Sequence, residues 1–120
     1  MSASVLTHSF SRQGLVEMDR LAALVRVTKT ELAALAGLSR DAVSKTARAA
    51  SPATQARLRD VVEILNRIEG WSGSPAQALA WYRSQPLPGF GDRTAEELVK
   101  EGRAEAVKRY LGRIAEGGFA

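Results

Sequence analysis

Apolar positions along the chain recur at helical spacing, and no run alternates apolar and polar residues long enough to suggest a strand. The pattern predicts an all-α protein. After a polar lead over residues 1–14, Leu15, Met18, Leu21, Ala22 and Val25 mark a first helix that stops near Val27. Thr28 and Glu31 are spaced as a capping box, in which each side chain satisfies a free amide at the helix start. Leu32, Leu35 and Ala36 carry that helix to Gly37, whose freedom to turn left-handed ends it. Ser39 is the next cap candidate, for a helix through Val43 to about Ala49. Ser51 followed by Pro52 starts a long helix, with Leu58, Val61, Val62, Leu65 and Ile68 as its apolar stripe. Gly70, Gly73, Ser74 and Pro75 then cluster as breakers, which divides the chain into a region over 15–70 and a second over 71–120. In the second region Ser74 and Pro75 open a helix that Pro86 and Pro88 cut off, and QPLPGFGDR reads as a loop. Thr94 and Glu97 make another capping box, Gly102 breaks the chain, and Val107, Leu111 and Ile114 stripe a last helix that Gly117 and Gly118 terminate.

Composition narrows the function. With 120 residues, 45% hydrophobic and 25% charged, the chain can bury a core of its own, and disorder is excluded as its main state. It has no cysteine and one histidine, His8, which excludes a disulfide scaffold, a zinc finger and a cysteine nucleophile and suits a reducing compartment. No run approaches the roughly 20 apolar residues that span a bilayer, and the first residues lack a secretory pattern, so a soluble cytoplasmic protein without a membrane partner is expected. No metal and no cofactor is expected either. Asp41 with Lys45, and Glu96 and Glu97 with Glu101, read as solvated helix faces rather than acid-base pairs, and His8 sits in the polar lead, so the chain is not read as an enzyme. The glycines flanking Phe90 are not a phosphate loop, because no strand precedes them and no lysine completes the pattern. Thirteen of the 17 cations are arginine in a chain of net charge +4, and the excess is +3 before residue 71 against +1 after it. Arginine's planar fork suits phosphate oxygens, so the basic excess points to nucleic acid in the first region.

Residues 29–48, KTELAALAGLSRDAVSKTAR, fit the helix-turn-helix pattern. Ala33 is small where the helices would touch, Gly37 supplies the turn, and Leu32, Ala36, Leu38 and Val43 face inward. The outward positions of the second helix are then Ser39, Arg40, Asp41, Ser44, Lys45 and Arg48, candidates for a DNA major groove. The arginines and the lysine suit guanine edges or phosphates, the serines suit phosphates or bases, and Asp41 suits cytosine or a neighbouring cation. In the second region Trp71 and Trp81 read as small-domain core. Trp81 and Tyr82 are adjacent on a helix and point apart, so one of them reaches the surface, where a large aromatic marks an interface.

The stretch AWYRSQPLPGFGDRTAEELVKEGRAEAVKRYLGRIAEGGFA, over residues 80–120 and behind a helix-turn-helix, resembles the antitoxins of the Xre/MbcA/ParS group and their C-terminal toxin-binding domain. The likeness lies in the Trp81 helix, the proline-rich loop ahead of Arg93 and Thr94, the acidic-leucine helix, the break at Gly102 and the final helix with its glycine-rich tip. Ala95 stands where many members have proline, and the first 28 residues match nothing in the group. The resemblance implies an Xre-like helix-turn-helix region packed with a small helical toxin-binding domain. It implies an antitoxin that blocks a RES-domain toxin acting on NAD, and that represses its own operon as a homodimer or as a hetero-oligomer with the toxin. It also implies a toxin-binding set of Trp81, Tyr82, Tyr110, Arg113, Glu116, Gly117, Gly118, Phe119 and Ala120, with the last turn against the toxin's pocket. There the glycines allow close approach, Phe119 offers apolar area and a terminal carboxylate would meet a cation. The competing reading is a one-component regulator whose second half binds a small effector in an apolar pocket.

Overall fold

The computed structural model describes residues 5–44 and 46–117, so Lys45, Gly118, Phe119 and Ala120 lie outside the described residues. Its helices are α1 Met18–Val25, α2 Lys29–Leu35, α3 Asp41–Ser44, α4 Thr46–Ala49, α5 Pro52–Ser72, α6 Pro75–Ser84, α7 Ala95–Lys100 and α8 Ala104–Ala115, preceded by a 3-10 turn over Val5–Ser9. Among the described residues the only β pairing is one isolated bridge, Phe10 to Val16. The fold is all-α, as the periodicity requires.

The N-terminal lead, expected as a polar stretch, has two residues inside the protein. Leu6 is completely buried, and the Ser9 hydroxyl, also buried, donates to the Leu6 carbonyl at 2.7 Å. A single apolar anchor in a polar stretch has no period to reveal it. The first helix begins at Met18 rather than Leu15, because the backbone of Val16 is claimed by the Gln55 side chain of α5. Gln55 accepts from the Val16 amide at 2.8 Å and donates to the Val16 carbonyl at 3.1 Å and the Ala49 carbonyl at 3.0 Å. That one buried amide ties the segment just before α1, the end of α4 and the start of α5 together.

Both expected capping boxes are present, at Thr28 with Glu31 and at Thr94 with Glu97. The hydrogen bonds of Thr28, backbone first, hold the Glu31 carboxyl below its ordinary value. Gly37 and Gly102 close the two helices so begun. In each case the glycine amide reaches back three residues and the next amide reaches back five, from Leu38 to Ala33 and from Arg103 to Leu98, which satisfies the carbonyls the helix end leaves open.

The 21-residue α5 is the spine. Ser51 caps it and Pro52 opens it, and Leu58, Val61, Val62, Leu65 and Ile68 are buried along it, as the stripe predicts. It passes through Gly70 and ends at Ser72, with Gly73 left-handed at φ 101°. Gly70 is exposed with open space where a Cβ would sit, so it costs helix propensity without breaking the helix. Side chains from both halves meet on this spine in one core that includes Leu6, Leu21, Leu35, Leu65, Tyr82, Leu98 and Leu111.

Candidate functional site

Two surfaces carry the residues singled out by sequence. The first is the α2–turn–α3 corner. Leu32, Ala33 and Ala36 are buried between the helices and Val43 is half-buried, as inward positions should be. Gly37 sits at φ 72° in a tight place, since a Cβ there would lie 2.6 Å from Arg57 Nη1 and 3.3 Å from the Lys100 Cα. The same Arg57 nitrogen donates to the Ala36 carbonyl at 2.8 Å, so α5 caps the corner while α7 leans on it. Ser39, Arg40 and Arg48 are exposed, Asp41 is half-buried and Ser44 closes α3. Acidic residues stand nearby, but they are engaged: Asp19 pairs with Lys29 and Glu17 with Arg20, each at 3.0 Å.

The second surface runs from the α5–α6 corner to the end of α8. Trp81 is half-buried and meets Trp71 edge-on, with ring centroids 5.8 Å apart. Trp71 is 45% exposed, which corrects its reading as core. It lies one turn beyond the buried Ile68. Tyr82 is the side chain that turns inward: it is fully buried, and its hydroxyl donates to the Leu35 carbonyl at 2.9 Å. Burial, reinforced by the Glu96 charge, pushes its phenol well above the ordinary range. Tyr82 therefore presents nothing to a partner and instead fastens α6 to the end of α2.

Tyr110 is also largely buried, edge-on to Phe90 at 6.3 Å. The Arg113 guanidinium lies 5.8 Å from the Tyr110 ring centre and the Arg103 guanidinium 5.6 Å from that of Phe90, so two cations flank an aromatic pair. Arg113, Glu116 and Gly117 are exposed at the end of α8. Between α5 and α8 runs an open furrow of about 590 Å³ lined by charged side chains, among them Arg67, Glu105, Arg109 and Arg113. At its floor Lys108 reaches Asp60 at 2.8 Å and Glu63 and Glu105 at 3.1 Å. Burial alone would lower the Lys108 pKa, but hydrogen bonds to Asp60, Glu105 and Glu63 outweigh it and hold the ammonium above its ordinary value. Sequence reasoning missed this node, since Asp60 lies 48 residues from Lys108 along the chain.

Compared with known protein families, residues 71–117 match the Xre/MbcA/ParS antitoxin C-terminal toxin-binding domain. This stretch is an Xre/MbcA/ParS-type toxin-binding domain. No match was found among curated proteins or among solved structures. The toxin-binding domain starts at Trp71, inside the last turn of α5, and takes in α6, α7 and α8. A toxin-binding domain implies a protein partner for this stretch. Among the described residues no helix is long and apolar enough to cross a membrane.

Proposed function

We propose that the chain is the antitoxin of a toxin–antitoxin pair, that its C-terminal end closes the active site of a RES-domain toxin acting on NAD, and that its helix-turn-helix binds the operator of its own operon. The observation that carries the first part is the toxin-binding domain over residues 71–117. In this reading the exposed last turn of α8, with Arg113, Glu116 and Gly117, leads into Gly118, Phe119 and Ala120 at the toxin's pocket. Trp81 adds aromatic area, while Tyr82 and Tyr110 position α6 and α8 from within. The operator part is supported by the buried helix–glycine–helix corner and by the exposed Ser39, Arg40 and Arg48; Asp41, Ser44 and Lys45 are the further candidates for DNA contact.

The test separates the two parts. Removing residues 118–120 should leave the helical spectrum intact and abolish rescue of cells expressing the cognate toxin, read as growth and NAD content. Rescue equal to that of the full chain would rule out the plug. Arg40→Ala with Lys45→Ala should keep rescue and abolish operator binding. An unchanged affinity with an unchanged salt slope would remove this corner as the reader.

A further inference from the structure

We infer that the toxin's contact crosses from the matched stretch onto α5, where the furrow between α5 and α8 takes a carboxylate-bearing segment of the toxin between Arg67 and Arg113, over Gly112 as an open floor. The inference rests on the toxin reading proposed above and adds a surface to it. Arg67 and Glu63 lie ahead of residue 71, so one wall of the furrow stands outside the matched stretch while α8 forms the other. The furrow runs along α8 to Glu116, next to the tip that reading sets against the toxin, so the two surfaces are continuous. Gly112 is the residue that the fold itself does not explain. It stands inside α8, where glycine is a far poorer helix former than alanine. Its backbone is not left-handed, and the nearest atom to an added Cβ would be Arg67 Nη1 at 3.9 Å, an ordinary contact. A bare position there lets the main chain or carboxylate of a partner come down beside the guanidinium.

Charge identifies the occupant. At one end of the furrow Lys108 is surrounded by Asp60, Glu63 and Glu105, and beyond it come Arg67, Arg109 and Arg113. Two of these guanidiniums are held before any partner arrives. Arg67 donates to Glu63 at 3.0 Å and to the Lys108 carbonyl at 3.2 Å, which fixes its planar fork and leaves its other N–H groups for a carboxylate. Arg113 lies over the Tyr110 ring at 5.8 Å. Side chains already ordered lose little freedom on binding. Other occupants fit less well. Apart from Gly112, every residue along the furrow is charged, whereas sites for small effectors are mostly apolar. The carboxylates of Glu63, Glu105 and Glu116 repel a run of phosphates, so the furrow does not suit DNA. A protein segment can set a carboxylate against the arginines and a cation against the acidic end.

Calorimetric titration of the full chain with the purified cognate RES-domain toxin tests this, on the wild type, Arg67→Ala and Gly112→Gln, with a thermal melt of each. Arg67→Ala should weaken the complex roughly tenfold or more and flatten the fall of affinity with salt, as loss of one partner of a charge pair does. Gly112→Gln puts a better helix former at an unstrained position, so it should melt no lower than the wild type and still weaken the complex roughly tenfold or more. A glycine with a structural role alone would change the melt and leave the affinity of the folded chain as it was. Wild-type affinity in either variant overturns the inference and leaves the toxin reading standing. A wild-type chain that does not bind the toxin overturns both. Variants that keep the toxin but lose operator DNA would assign the furrow to nucleic acid and overturn it equally.

Discussion

The hydroxyl of Tyr82 shows what one atom can hold. The carbonyl it reaches belongs to Leu35, in the last turn of α2, where the helix itself offers no donor. Tyr82→Phe would keep the ring and strand that carbonyl in the interior. The expected cost is about 1–3 kcal/mol, seen as a lower denaturant midpoint at unchanged slope, and a midpoint equal to that of the wild type would show that the bond carries no net stability. The family resemblance placed Tyr82 among the toxin contacts, and helical spacing said only that Trp81 and Tyr82 diverge; which of the two turns inward depends on α2, 47 residues away. Gln55 was illegible for the same reason. A polar side chain among exposed neighbours reads as solvated, and only the folded chain brings Val16 and Ala49 to it.

Elements were legible wherever the signal and its partner lie within a turn of each other. Thr28 with Glu31, Thr94 with Glu97, Ser51 with Pro52 and the closing glycines at 37 and 102 all act over five residues or fewer, and all are where they were expected. The boundaries that moved, the start of α1 from Leu15 to Met18 and the end of α5 from Gly70 to Ser72, are those decided by a distant side chain or by an absence of neighbours. Gly37 joins both kinds of cause. Gly37→Ala forces a left-handed φ on a residue with a Cβ and drives that Cβ into the Arg57 guanidinium, which then loses the Ala36 carbonyl. A loss of at least about 1 kcal/mol in thermal or chemical unfolding is expected. Wild-type stability in the alanine variant would mean that the corner can open without penalty, and with it the tie between α2, α5 and α7.

At the scale of the molecule, the toxin-binding domain has a boundary that the fold does not respect. Its first residue lies inside α5, and its helices bury Tyr82, Leu98, Val107 and Leu111 against a spine and an α2 that belong to the other half. A 47-residue piece over 71–117 is also smaller than the roughly 60-residue domains whose cores are already marginal. Expressed alone, that fragment should show little helix by circular dichroism and no cooperative melt, whereas a fragment that begins at Pro52 should recover part of both. A sharp transition in the shorter piece would show that the spine is dispensable.

The shared spine has a consequence for how such a protein can change over time. Exchange of whole modules at the edge of the toxin-binding domain would sever α5 in its last turn and leave Tyr82 without the Leu35 carbonyl. New specificity at one end cannot then arrive ready-made by recombination. It has to accumulate by single substitutions on the exposed turns of α8 and the open α5–α6 corner, where side chains can vary without disturbing the joint that both halves share.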